Sequence, residues 1–466
     1  MRFHRDRATW LIYVQLGLWG YFLYGFGPVV PLLRDEQGTT AAVAGLHSTA
    51  LAVGGLLSGV LYPPLSRRLG RARTMWCALG GVTAATILLI SFRPLPVTLT
   101  AATLASMCGW TVVSCAVSAL TARHGPLAPT AITEANAAAV GFGMISPLLT
   151  GLGVRLWDTW RPGIGALILL VAITITTSAV RRTRRPPTPA PSGIRGRPGG
   201  PAAQAGPGDL IVPAGPAGPA GFARSSASAG PAGSGGADGG AAPAGFEGSG
   251  GPPGSGGSSA SAGAGVGEEA RAGARVPSQR LPRSYWLAWS MLCVTGSIEV
   301  CLSLWAADVL RGHAGMSPGG ASATVAAIVG GMFAGRLAGS RIALRVPPVP
   351  LLLAALGVSA IGFVLFWTPP VGWLAATGLI VLGFGNAMHY PLTISLALAA
   401  APGQADLAAA RANYTAVIGF GAAPLLLGAL SDHIGPHPAF LLLPALIVTA
   451  ALLTLRLRHS VPPRLT

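Results

Sequence analysis

The chain has 466 residues, 51% of them hydrophobic and only 10% charged, with a mean hydropathy of +0.58 and a formal net charge of +17. A water-soluble domain carries about a quarter charged residues, so this composition cannot cover a compact body in water and excludes a soluble globular protein. The 31 basic residues, all arginine, are spread too thinly for a phosphate-tracking face, which excludes a nucleic-acid partner.

Arg2, Arg5 and Arg7 precede an apolar run near 10–33. The run is too long for a secretory signal core and lacks a small-residue cleavage site, so it predicts a retained first helix. Further spans are predicted near 40–62, 74–92, 97–121, 131–154 and 164–180, separated by short loops rich in Arg, Pro and Gly. Each approaches the ~20 residues a helix needs to cross about 30 Å of hydrocarbon. Residues 182–283 then turn to Gly, Ala, Pro and Ser, a composition that cannot offset ordering entropy and predicts a disordered tether. Its GPAGPAG stretch, Gly215 to Gly221, is far too short for a collagen helix. Six more spans are predicted near 285–309, 320–343, 348–367, 371–399, 407–430 and 438–455. The fold class is therefore an all-α integral membrane protein of 12 transmembrane helices in two pseudo-symmetric six-helix bundles. The domains are 1–181 and 284–466, with the 182–283 linker between them. Cys77, Cys108, Cys115, Cys293 and Cys301 fall inside apolar segments and read as small packing residues.

Arginine placement sets the orientation. With a cytoplasmic N-terminus, the inner loops carry Arg67, Arg68, Arg71, Arg73, Arg123, Arg181, Arg182, Arg184, Arg185, Arg341, Arg345 and Arg411. The outer loops then hold only Arg34, Arg93, Arg155, Arg161 and Arg311. That asymmetry predicts a multi-pass protein of the plasma membrane with both termini and the linker in the cytoplasm.

An internal repeat supports two bundles. Ala135-Asn136, ten residues and then Pro147-Leu-Leu-x-Gly151 recur 277 positions later from Ala412-Asn413 to Gly428. Val53-Gly54-Gly55 with Gly59 recurs as Val329-Gly330-Gly331 with Gly335, and Gly109 falls opposite Gly385. Six helices duplicated in parallel suit alternating access around a central site.

The loop LSRRLGRAR from Leu65, the stretch GRLAGSR from Gly335 and GFGNAMHYP from Gly383 resemble a major facilitator superfamily permease over both six-helix blocks. The family's signature loop usually carries an Asp before its Gly-Arg pair, whereas here Arg67 stands three residues before Gly70 and Gly339 takes the related place in the second half. The resemblance implies a secondary transporter and not an enzyme: a permease for a small polar solute, with protons as a candidate coupling ion, acting as a monomer in the lipid bilayer. Proton-coupled drug antiporters of the superfamily usually carry an Arg in helix four and Gly-Pro in helix five. Here Thr98–Thr121 holds no Arg and helix five reads Ser146-Pro147, which ranks drug or metabolite efflux second. A non-transporting membrane sensor or scaffold is the alternative from another class.

Ionisable groups at membrane depth are costly and therefore mark candidate sites. Glu299 lies midway along the seventh span with Thr295 and Ser303 on the same helical face, and reads as the substrate-binding or proton-coupling carboxylate. Asn386 and His389 precede Tyr390-Pro391, where a broken helix frees carbonyls for a polar ligand. His47 is the other imidazole at membrane depth. Tyr21 and Tyr24 share an aromatic face of the first span with Tyr13, Gln15 lies nearby as a further cavity-lining candidate, and Asn136 and Asn413 are repeat partners able to hydrogen-bond a solute or another helix. Glu134 and Arg411, also repeat partners, predict a gate, with Glu134 pairing Arg341 or Arg345 of the opposite half. Arg336, Arg67 and Arg68 join that gating set. No GxxxxGK[ST], HExxH or GxSxG motif occurs, so neither a cofactor nor a metal is expected.

Overall fold

Asp6 opens the first helix by accepting from the Thr9 amide (2.9 Å) and hydroxyl (2.6 Å), which satisfies one of the donors a helix start leaves free. Gly38, at φ 61°, ends it in the left-handed conformation that suits glycine. The computed structural model describes residues 5–183, 281–343, 345–401 and 404–458. The tether expected between the two blocks lies almost wholly outside the described residues.

The first block forms α1 (Arg7–Gln37), α2 (Ala41–Leu69), α3 (Arg71–Ser91), α4 (Leu95–His124), α5 (Ala128–Trp157) and α6 (Arg161–Thr183). The second forms α7 (Arg283–Gly312), α8 (Pro318–Thr324), α9 (Ala326–Ile342), α10 (Pro348–Trp367), α11 (Gly372–Asn386), α12 (His389–Ala399), α13 (Ala405–Ile434), α14 (Pro436–Ala439) and α15 (Leu442–Arg458). Eleven spans are long and apolar enough to cross a membrane, counting α8 with α9, α11 with α12 and α14 with α15 as one each. α13, whose described apolar stretch is Ile418–Ile434, supplies the twelfth crossing.

Three predicted spans are broken, two of them at junctions with a visible local reason. Pro391 has no amide and its ring crowds the carbonyl of Ala387 four residues earlier, which is where α11 gives way to α12. At the α8–α9 junction the Thr324 hydroxyl bonds back to the Gly320 carbonyl (2.8 Å), an arrangement that bends helices.

α1 and α7 are the most enclosed helices, and α6 the least. Trp19, Phe22 and Phe26 stack along α1 at centroid distances of 5.8 and 5.5 Å. Val60, Leu169 and Trp373 point outward and stay exposed, as side chains facing hydrocarbon do.

The repeat seen in the sequence recurs in the packing. A Cβ on Gly54 would run into the Thr103 carbonyl of α4, and one on Gly331 into the Ile380 carbonyl of α11; both members of each pair lie 277 positions apart. Two seams between the blocks repeat to within one residue. Gly151 of α5 abuts the Gly319 carbonyl of α8, and Gly428 of α13 abuts the Ala41 carbonyl of α2.

Candidate functional site

Glu299, from the middle of α7, is only 7% exposed. Its expected same-face partners do not hold the carboxyl. Thr295 Oγ1 donates to the Leu292 carbonyl (3.2 Å) and Ser303 Oγ to the carbonyl of Glu299 itself (2.9 Å). The charge facing Glu299 is instead Arg336 of α9, and both groups act on the hydroxyl of Tyr24 from α1. Tyr24 Oη is close enough to the guanidinium to feel its charge, and Tyr24 Oη, Arg336 Nε and Arg336 Nη1 are all buried with no acceptor or donor at hydrogen-bond distance among the described residues. Tyr24 packs in one small apolar cluster with Val140 and Met144 of α5 and Val329 and Phe333 of α9, drawn from both blocks. The site is thus built from α1, α5, α7 and α9, where the two blocks face each other.

The repeat could not have revealed this charge pair. At an offset of 277, Glu299 corresponds to Phe22 and Arg336 to Gly59, so the ionisable groups belong to one block only.

The remaining candidates divide. Tyr21, three residues before Tyr24, is turned away, and its hydroxyl donates to the Gly163 carbonyl of α6. Gln15 is buried on α1. His47 ties α2 to α4: Nδ1 meets the Ala44 carbonyl and Nε2 the Thr98 hydroxyl, both at 3.0 Å. Both ring nitrogens are occupied, which favours a packing role. His389 Nε2 lies 3.2 Å from Ser359 Oγ, and Asn386 Nδ2 lies 4.0 Å from Met332 Sδ with Oδ1 buried and unpartnered. Neither shares a hydrogen bond or ion pair with Glu299 or Arg336. Asn136 Nδ2 donates to the Ile132 carbonyl (3.0 Å) within its own helix. The Asn413 side chain lies outside the described residues.

The expected pairing of Glu134 with Arg341 or Arg345 is corrected. Arg5 reaches Glu134 with two nitrogens, Nε at 2.8 Å and Nη2 at 2.6 Å, and Tyr13 Oη adds a third contact at 3.1 Å. The segment capped by Asp6 brings Arg5 there, while Arg341 and Arg345 are exposed, as are Arg67 and Arg68. Arg411 lies over the Trp286 ring at 5.7 Å.

Polar contacts joining the two blocks gather where α1 ends at Gln37. Arg34 bonds Asp308 at 2.5 and 3.2 Å, and Asp35 links Arg34 (3.0 Å) to Arg311 (2.7 Å). Asp432 of α13 accepts from the amides of Ala41 (2.7 Å) and Ala42 (2.8 Å), capping α2 from the other block. Thr49 Oγ1 donates to the Gly421 carbonyl at 2.8 Å. Sequence reasoning passed over Asp308 and Asp432. An Asp inside the seventh apolar run and the spacing of Arg34 and Arg311 by 277 were the available signals.

The Major Facilitator Superfamily model matches residues 12–410 and again 287–466. Among solved structures the chain is similar to a bacterial homologue of the human lysosomal transporter Spinster, inward-facing and unoccupied. The identity is 12% over 98% of this chain and 97% of that one, with a TM-score of 0.61. The occupied inward-facing form of that homologue gives 12% identity, 98% coverage of both chains and a TM-score of 0.58. The human organic anion transporter MFSD10 (TETRAN) gives 16% identity over 97% of this chain and 100% of that one, with a TM-score of 0.55. No functionally curated protein matches the sequence.

Proposed function

Because the chain belongs to the major facilitator superfamily, we propose that it moves a small polar solute across the plasma membrane by alternating access, as a monomer, with protons coupled through Glu299. The observation that carries this reading is the burial of Glu299 where the blocks face each other, beside Arg336 and Tyr24. A carboxyl enclosed at membrane depth is retained at a cost, and a proton relay is a use that repays it. The arginine asymmetry of the loops supports cytoplasmic termini. The Gln37 end is then external, and its closed seams belong to a state sealed from outside. Rocking the blocks apart there breaks the Arg34–Asp308 pair and the Asp432 cap and admits solute from the other side. Glu134, held by Arg5, and Arg411 sit at the opposite end as candidate gating groups.

The test uses proteoliposomes loaded with a pH-sensitive dye and challenged in turn with hexoses, amino acids and short monocarboxylates. A luminal pH change driven by one of them in wild type and lost in Glu299→Gln is the expected result. No response to any of the panel, or an unchanged response in the variant, overturns proton-coupled transport of such solutes.

A further inference from the structure

Arg336 has no direct ion pair among the described residues. No carboxylate of the described residues lies within 4 Å of its guanidinium to form an ion pair, although Glu299 is near enough for their charges to interact. Nε and Nη1 are both buried without an acceptor, and the Tyr24 hydroxyl, equally buried and unpartnered, lies close enough to interact with the guanidinium. Two guanidinium N–H groups and a hydroxyl are therefore left without acceptors in one neighbourhood. An unsatisfied buried donor is costly, more so on a charged group, and natural proteins keep such groups where a ligand supplies the missing acceptor.

The geometry defines that ligand. A guanidinium presents its N–H groups as a planar fork that matches two oxygens of a carboxylate. There is one guanidinium, and with the neighbouring Glu299 protonated the site balances a single negative charge and not the two of a phosphate monoester. The neighbouring Val140, Met144, Val329 and Phe333 are apolar and offer the rest of the ligand no hydrogen bonds. The Tyr24 ring packs against Gly143, where any Cβ would strike it, and this contact fixes the ring beside the guanidinium.

We propose that Arg336 and Tyr24 hold the carboxylate of a small organic monoanion whose apolar body lies against Val140, Met144, Val329 and Phe333. The proposal rests on the central site being the transport site and names the class of solute it takes. Arg336 is then a substrate-binding residue and not a member of the gate.

The experiment measures thermal stabilisation of the full chain in lipid nanodiscs by acetate, hexanoate, benzoate and phenylacetate, each against its amide. A ligand that binds the folded state raises its apparent stability with concentration. The expected result is stabilisation by at least one acid and not by its amide. The apparent affinity should fall roughly tenfold to hundredfold in Arg336→Gln and less in Arg336→Lys and Tyr24→Phe. Equal stabilisation by acid and amide, no stabilisation by any of the four acids, or an unchanged affinity in Arg336→Gln overturns the proposal. If Arg336→Gln does not fold, unchanged affinity in both milder variants does so. Failure of proton coupling is read separately: acid-selective binding that depends on Arg336, with proton flux indifferent to Glu299→Gln, sinks the coupling and leaves the anion site standing.

Discussion

Arg34 on α1 and Asp308 on α7 meet across the two blocks, Nη1 to Oδ2 at 2.5 Å, with Asp308 only 5% exposed. Removing one partner of a buried pair costs about 3–5 kcal/mol because it strands the other charge. Arg34 is a fifth exposed and keeps Asp35 at 3.0 Å, so it is not stranded and the cost is nearer the about 1.5–3 kcal/mol of a charged hydrogen bond. A loss of that size moves a two-state equilibrium by about tenfold to a hundredfold. Asp308→Asn should therefore open the Gln37 end. The readout is labelling of Val140→Cys, in a background without the five native cysteines, by an impermeant maleimide supplied from that end. Labelling several times faster in Asp308→Asn is expected, and an unchanged rate refutes a gating role for the pair.

Asp432 acts on the same equilibrium through a different chemistry, as a helix cap supplied from the opposite block. Its two oxygens take the Ala41 and Ala42 amides, which α2 itself leaves unsatisfied. Asp432→Ala should cost the closed state about 1–2 kcal/mol, and Asp432→Asn, which keeps one acceptor, less. In the same labelling assay the order of opening should be Ala, then Asn, then wild type. An alanine variant that labels like wild type means that the cap does not distinguish the two states.

The seams at Gly151 and Gly428 are steric, since each glycine faces a carbonyl of the other block with no room for a side chain. Gly428→Leu should wedge α13 from α2, and Gly151→Leu should wedge α5 from α8. Spin labels at Arg93 and Pro370, both exposed on loops at the Gln37 end, should report a longer and broader distance in either variant. A distance distribution matching wild type in both would show that the seams are not closed in the membrane.

The spans and the repeat were legible because both are carried by local composition. Twenty apolar residues must become a helix in hydrocarbon, and a duplicated motif keeps its register whatever it packs against. Even the seam glycines lay inside the duplicated motifs. The site was legible only in part. Glu299 stood out as a carboxyl in an apolar run, but Arg336 sat in a basic stretch beside Arg341 and read as part of a gate. Its lack of a partner depends on α1 and α7, far away in sequence. His47 looked like a candidate until Thr98, 51 residues on, was found to occupy Nε2. Glu134 had several arginines to choose from, and the choice fell to Arg5 because the Asp6 cap fixes where the chain enters α1.

The Asp6 carboxyl gives a pH prediction with a definite sign. The hydrogen-bonded Arg123 guanidinium, helped by the Thr9 hydroxyl and amide, holds its pKa well below the usual carboxylate range. A folded-state pKa below the unfolded one means that ionisation favours the fold. The contribution is complete above the ordinary carboxylate range and is lost only as pH falls through the depressed value. Hydrogen-exchange protection of the Thr9 and Trp10 amides, corrected for intrinsic rates, should accordingly be flat between pH 8 and 5. Asp6→Ala removes the cap and should lower protection throughout, whereas Asp6→Asn keeps a capping oxygen, loses the Arg123 ion pair and should fall between the two. Protection in the wild type that drops between pH 7 and 5 would mean that the carboxyl titrates in its ordinary range and that Arg123 does not hold it.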